Sequence, residues 1–470
     1  MSTTATTASA PYPHPRWRMP IIGDLLTVDL AKPCQGLTRD IGTHGGVVEQ
    51  RIFSFPVIVV SRADLVEEIN NEEHWEKHLG HSLRKLRPVA GDGLFTAYNH
   101  EPNWRKAHNI LVPAFAKAAM EGYHAPMLAT VRELTDPWSS QPGVWVDIPS
   151  AANRLTTEII GRVGIGHSFT ALDRAEDTDP FIATVLRELT YANRRTDAVP
   201  LYERLFGGGR RHQHENDKKW ARARIAELIA ARRADGPRPG TPDMLDRMLN
   251  TADPETGEKL DDPNIINQIL TMLVAGSETS ANAIGFALHY LAHNPDMAAA
   301  ARAEIDQRWP GRDFPDIGFD DVAPLRYLRR VVDETLRLWP VAPGYFRQAK
   351  HETTIDGGRH RFAAGDWVFV LLLAAHRDPA GWGPDAEEFR PDRFLPENLR
   401  GLPAHVYKPF GTGVRACIGR QFALHEIMLT LAVVLHQFDF EAEPGYELRA
   451  TEALTLKPDG LRLRMRPRAK

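Results

Sequence analysis

The stretch Phe410-Gly411-Thr412-Gly413-Val414-Arg415-Ala416-Cys417-Ile418-Gly419 decides the reading of this chain, because it sets one cysteine on a glycine-lined loop beside an arginine. Glycines there let the backbone approach a sulfur closely and adopt angles closed to other residues. Amides aimed at that sulfur would hold it as a thiolate and tune an iron bound to it. For an arbitrary cysteine the ordinary reading is a buried structural residue near a helix start. Ten positions in one pattern reverse that preference and point to a thiolate ligand for a haem iron, with Arg415 turned to a haem propionate.

The pattern F-x-x-G-x-R-x-C-x-G is the signature of the cytochrome P450 superfamily, and the sequence resembles that family from about residue 17 to its end. Within it, the chain is most similar to bacterial fatty-acid hydroxylases, including those fused to a flavoprotein reductase. Gly91-Asp92-Gly93-Leu94-Phe95-Thr96, Asn103-Trp104-Arg105-Lys106-Ala107-His108-Asn109, Asp253-Pro254-Glu255-Thr256-Gly257 and Gln421-Phe422-Ala423-Leu424-His425-Glu426 carry that likeness. The resemblance implies the prism-shaped P450 fold, mainly α with a small β region, and haem b as cofactor. It makes Cys417 the axial ligand of the iron and sets Phe410, Gly411, Arg415 and Gly419 around the cofactor.

Composition narrows the alternatives. A length of 470 residues suggests about three domains at ~150 residues each, yet no linker divides the chain, so residues 17–470 are expected to form a single haem domain. Residues 1–16 are expected to be a disordered tail, since Met1–Ala10 are small and polar and lack the apolar core of a signal peptide. A hydrophobic content of 43% suits an ordinary core, and no run of ~18 apolar residues could span a bilayer. A cytoplasmic monomer without a membrane anchor is expected. Only Cys34 and Cys417 occur, which excludes a disulfide framework, a paired-cysteine zinc site and a four-cysteine iron–sulfur cluster. Cys34 reads as a bystander. A net charge of −4 gives no reason to invoke nucleic acid, and the basic runs Arg210-Arg211-His212 and Lys218-Lys219-Trp220-Ala221-Arg222 read as solvated faces.

Residues 48–60, β-branched and aromatic around a central proline, predict a short strand pair at a sheet edge. Periodicity and caps predict helices over 102–116, 124–138, 151–164, 180–192, 218–234, 242–250, 263–293, 296–308, 325–338 and 420–436. Strands return near 353–373 and 446–466, and Asp235 to Pro242 reads as surface loop.

The long helix at 263–293 carries Ala275-Gly276-Ser277-Glu278-Thr279-Ser280, a carboxylate and a hydroxyl inside an apolar stretch. Thr279 is placed to bond back to the Ala275 carbonyl and open the helix locally. Gly276 would leave room for dioxygen against the backbone, and Glu278 and Thr279 would steer protons to its outer oxygen. The alternative is a packing threonine beside a solvated glutamate. The sequence agrees at every position with the family's [AG]-G-x-[DE]-T-[TS] pattern, which holds this catalytic role.

Trp104, Arg105 and His108 share one predicted helix, with Trp104 and His108 aligned at i, i+4, and they suit haem propionates. A core tryptophan beside a surface arginine is the competing reading. Glu334 and Arg337 share a helix face; alone they read as a surface ion pair of ~0.2–0.5 kcal/mol. The resemblance instead makes them the family's buried E-x-x-R pair, joined by Arg393 and bracing the cysteine loop. Phe95, Val274, Ala342 and Leu454 are candidate substrate-facing positions. Some fatty-acid enzymes of the family hold the carboxylate with an arginine and a tyrosine on the first sheet, where Phe55 and Val59 stand here, so that clamp is not expected.

The expected activity is a monooxygenase that hydroxylates a C–H bond of a lipophilic substrate, foremost a medium- or long-chain fatty acid. It would use dioxygen and two electrons from a ferredoxin or flavodoxin with its reductase, or from a fused reductase lying outside these 470 residues. A terpene or macrolide hydroxylase, a peroxygenase on the same fold, and a gas-binding haem protein are the rival readings.

Overall fold

The computed structural model describes residues 12–53, 55–172, 180–185, 187–188, 208–236, 240, 242–311 and 313–469. The described chain forms two compact units, one from the residues up to Gly80 with Leu336–Cys417, the other from His81–Thr335 with the residues from Ile418 onward. In chain order the strands are β1 (Val47–Ile52), β2 (Phe55–Val60), β3 (Trp75–His78), β4 (Val144–Asp147), β5 (Gly344–Ala349), β6 (Thr353–Ile355), β7 (His360–Phe362), β8 (Trp367–Leu371), β9 (Phe438–Ala442), β10 (Ala450–Glu452), β11 (Leu456–Pro458) and β12 (Arg462–Pro467). The longer helices are α1 (Pro33–Asp40), α2 (Ala63–Asn70), α3 (Gly80–Ala90), α4 (Pro102–Leu111), α5 (Lys117–Ser140), α6 (Ile148–Ile159), α7 (Gly208–Asp235), α8 (Met244–Asn250), α9 (Asp262–His293), α10 (Pro295–Arg308), α11 (Arg326–Leu338) and α12 (Arg420–Gln437).

The first unit is built on a five-stranded sheet of order β1-β2-β8-β5-β3, in which only the β2–β8 pair is parallel. β-Branched residues on β1, β2 and β8 bury Val47, Val60, Val368 and Val370, and α2 lays Leu65, Val66 and Ile69 on them. Residues 12–16 of the expected tail belong to this unit: Tyr12 stacks on His360 at 4.9 Å, and the Pro13 carbonyl accepts from the Glu49 N–H at 2.8 Å. Residues 1–11 lie outside the described residues.

The second unit is organised by α9, whose N-terminus is capped by Asp261 accepting from the Asn264 N–H. α9 packs against α6 and α12. Nearly all of 264–273 and 280–291 is buried, whereas Val274 to Thr279 are six consecutive half-exposed residues. α12 is apolar on all sides and buried from Glu426 to His436. A β4-β12-β9 sheet and the β10–β11 hairpin complete the unit. No helix among the described residues is long and apolar enough to cross a membrane.

Where the elements differ from expectation, the cause is local. The 102–116 helix gives way at Val112 to a 3₁₀ turn, since Pro113 has no N–H to continue the ladder. The 151–164 helix becomes a π turn over Ile160–Ile165. Of the 180–192 helix, 180–185 and 187–188 are helical and the rest lies outside the described residues, as do the Arg210 and Arg211 side chains and residues 237–239 and 241 of the loop at 235–242.

Glu426 is fully buried in α12, and burial pushes its carboxyl up to about 8, with the Ser280 hydroxyl offsetting a little. The folded state therefore keeps its proton over a range in which the unfolded chain has lost it. Stability should fall as pH rises from about 4.5 toward 8, by at most ~1.4 kcal/mol per pH unit. Thermal melts of Glu426→Gln between pH 5 and 9 are expected to lose that slope.

Candidate active site

The cysteine loop belongs to the first unit. A single 3₁₀ turn spans Gly413–Arg415, and the Cys417 N–H donates to the Phe410 carbonyl at 2.9 Å, which closes the loop. Gly411 and Gly413 have φ of 68° and 71°, the left-handed region that a side chain disfavours. A Cβ on Gly413 would also collide with the carboxylate of Glu72, which accepts from the Val414 N–H at 3.0 Å. Gly419 carries no such demand: its φ is −84°, and a Cβ there would meet only Phe115 at 3.7 Å. Cys417 is exposed, unlike a cysteine packed into a core.

The same unit buries charge on backbone carbonyls. Arg337, fully buried, donates to the carbonyls of His376 at 2.8 Å, Ala386 at 2.6 Å and Glu388 at 3.0 Å, and its guanidinium lies over the Trp382 ring. Arg393 donates to the Trp382 carbonyl at 2.9 Å and to the Asp385 carboxylate at 2.8 Å. His376 accepts from the Lys408 N–H at 3.0 Å, two residues before Phe410. Glu334 is likewise fully buried, so neither member of the E-x-x-R pair is a surface residue.

In the second unit, the half-exposed segment of α9 carries the acid and the hydroxyl. Thr279 donates to the Ala275 carbonyl at 2.7 Å, and Ser277 to the Leu273 carbonyl at 2.6 Å. The local opening expected there is absent, and α9 runs unbroken; a carbonyl has two lone pairs and can accept a hydroxyl while keeping its helical N–H. Gly276 also faces α6. A Cβ on it would lie 3.3 Å from Ile160 Cγ1 on α6, so the missing side chain permits close helix packing. Burial raises the Glu278 carboxyl above its ordinary range, while Lys457 and the Thr455 hydroxyl pull it partly back.

Loop 91–96 docks on the same helix: Asp92 accepts from Asn264 and Asn267 at 2.9 and 2.7 Å, and Gln268 accepts from the Leu94 N–H at 2.9 Å. Phe95 is thereby held along α9 within two turns of Val274, and the turn holding Leu454 reaches α9 through Thr455, 3.3 Å from Asn282. Phe95, Val274 and Leu454 are half-buried. Ala342 is exposed in the first unit, just before β5.

The cytochrome P450 family model matches residues 13–465. The chain belongs to the cytochrome P450 family. It is 39% identical over 97% of its length to a bifunctional cytochrome P450/NADPH–P450 reductase of Bacillus cereus, and 34% identical over 97% to a self-sufficient cytochrome P450 monooxygenase of Aspergillus niger. It covers 42% of each of those relatives. A crystal structure of a cytochrome P450 (CYP102L1) is 58% identical and superimposes with a TM-score of 0.92, covering 98% of this chain and 100% of the other. The mainly α architecture with small sheets is the P450 fold.

Membership of the P450 family implies a haem-thiolate cofactor, and the residues fit one. Cys417 presents its sulfur from a loop held open by two left-handed glycines. Lys77 on β3, which the sequence reading missed, feels the charge of Arg415; burial first, and then Arg415, push its pKa well below the ordinary value, and a dianionic edge such as paired propionates would favour its charged form. Trp104 is buried, with His108 stacked on it at 5.1 Å as the i, i+4 spacing predicts. Arg105 stays beside them, its guanidinium 5.7 Å from the Trp104 ring, while its side chain is 56% exposed and faces Glu255 at 4.0 Å.

The P450 loop generates a test. Gly413→Ala should destabilise the folded protein by at least ~1–2 kcal/mol from the left-handed φ alone, with the Glu72 collision adding to it. Urea unfolding checks this; an unchanged midpoint would show that the loop tolerates a side chain there.

Proposed function

We propose that this P450 is a monooxygenase that hydroxylates an unactivated C–H bond of a medium- or long-chain fatty acid, with residues 17–470 acting as one haem domain. The carrying observation is the exposed Cys417 on its glycine-held loop, with Arg415 and Lys77 in the same unit. A haem b bound through that thiolate would supply the dioxygen chemistry. Arg415 and Lys77 would hold its propionates, with Trp104 and His108 as further donors.

Glu278 and Thr279 handle protons in this reading. A carboxyl raised by burial keeps its proton nearer neutral pH and can give it up. The Thr279 hydroxyl hydrogen is directed to Ala275, which leaves its oxygen lone pairs to accept a proton from a neighbouring donor. Lys457 and Thr455 beside Glu278 would restore the proton from the polar side. Electrons would come from an NADPH-dependent reductase of the kind carried by the bifunctional relatives, which favours a cytoplasmic enzyme.

For the substrate, Phe95, Val274 and Leu454 offer apolar contacts along α9. Phe55 is 72% exposed and Val59 is buried, so neither forms a headgroup clamp. Arg51 pairs with Glu49 at 3.0 Å, and Arg62 with Asp64 and Asp356 at 2.7 Å each, so both arginines are already engaged.

The ligand assignment is tested by the reduced carbonyl adduct. The strongly red-shifted Soret band of thiolate ligation should vanish in Cys417→His and persist in Cys34→Ala; the reverse pattern would overturn it. The substrate assignment is tested by binding constants for acids of increasing length and their methyl esters. Affinity should rise roughly fourfold per added methylene, at ~0.8 kcal/mol each. Esterification should cost less than ~1.5 kcal/mol. No dependence on chain length would favour a terpenoid or macrolide instead.

A further inference from the structure

α6 is α-helical to Ile159 and then widens into the π turn Ile160–Ile165, an irregularity often found at functional sites. Its geometry is pinned by Glu158, which is fully buried. That carboxylate pairs with Arg162 at 2.6 Å and accepts from the Phe169 and Ala171 N–H groups at 3.1 Å each and from the Ser168 hydroxyl.

The turn lays the Ile160 side chain between two glycines. A Cβ on Gly276 would lie 3.3 Å from Ile160 Cγ1 and 3.4 Å from its Cδ1, and a Cβ on Gly164 would lie 3.2 Å from the same Cδ1. A methyl added at either glycine would require Ile160 to give by a few tenths of an ångström, so Ile160 lies close against both. One turn earlier, the Thr156 hydroxyl makes its shortest bond across the helix pair, to the Ser277 carbonyl at 2.8 Å. α6 thus grips α9 at Gly276 and Ser277, immediately before Glu278 and Thr279.

We infer that Ile160 and Thr156 are positioning residues for proton delivery: the two-glycine slot and the Ser277 hydrogen bond fix where α9 presents Glu278 and Thr279. This rests on the proton-delivery reading above. Over the half-exposed segment of α9, the Ile160 contact and the Thr156 hydrogen bond set how the helix sits against α6, so a change at either is felt at the two residues that follow. A small displacement of an acid–hydroxyl pair sends protons to the wrong atom, while binding, which depends on other contacts, continues.

The test uses the haem-loaded protein with an NADPH-dependent P450 reductase and reads product formed per reductant consumed, the carbonyl-adduct band, substrate affinity and the melting temperature. Gly276→Ala, which drives a methyl into Ile160, should lower coupling about threefold or more while the band and substrate affinity stay near wild type. Gly276→Ala with Ile160→Ala removes both Ile160 atoms that the new methyl would crowd, Cγ1 and Cδ1, and should restore part of the coupling. A methyl that acted by blocking the oxygen side of α9 would not be rescued from α6, so a double variant no better than Gly276→Ala overturns the inference. Ile160→Val and Thr156→Val alone should also uncouple the enzyme. If Gly276→Ala fails to fold, wild-type coupling in both of these overturns the inference as well. Thr279→Ala separates the two readings. Unchanged coupling in Thr279→Ala overturns proton delivery and this inference with it, whereas a loss in Thr279→Ala with none in Gly276→Ala overturns only the positioning role.

Discussion

The buried guanidinium of Arg337 is the constraint around which residues 376–388 are arranged. A charge removed from water must be met by acceptors, and Arg337 meets three carbonyls within residues 376–388 while lying over the Trp382 ring. Truncating such a group leaves carbonyls unpaired and costs ~3–5 kcal/mol in comparable buried pairs. The same charge has a second effect. Burial first, with Arg337 and Arg377 adding to it, holds the His376 imidazole down to about 3. His376 therefore stays neutral at any ordinary pH, and its Nε2 keeps the lone pair that receives the Lys408 N–H at the entrance to the loop.

Titratable groups elsewhere obey one rule, in which burial disfavours charge and neighbours decide how far. Glu278 and Glu426 make the comparison direct. Glu426 has only the Ser280 hydroxyl to offset its burial and is pushed up to about 8. Glu278 is raised too, but Lys457 and Thr455 pull against that shift. Burial acts against the charged form in both, and in Glu278 a cation and a hydroxyl oppose it where Glu426 has a hydroxyl alone. Lys77 is the cationic counterpart, held low by burial and by Arg415.

Much of the architecture was readable from local pattern. Helix α9 runs Asp262–His293 against an expected 263–293, and α12 runs Arg420–Gln437 against 420–436, because long apolar periodicity and an aspartate cap are carried by contiguous residues. The strand pair β1–β2 was legible for the same reason. Short elements were not. Strand β3, Trp75-Glu-Lys-His, has no alternating pattern of its own and exists through its pairing with β5, while α1 contains a glycine and buries no residue fully.

The sequence alone determined which sulfur matters, which family the chain belongs to and which helix carries an acid and a hydroxyl, since each is a property of residues adjacent along the chain. Tertiary structure decided the rest. It set Arg105 against both the Trp104 ring and Glu255, put Lys77 within the influence of Arg415, and placed Ile160 opposite Gly276. Those outcomes join residues far apart in sequence, and no local periodicity records which side chain will fill the space a distant glycine leaves.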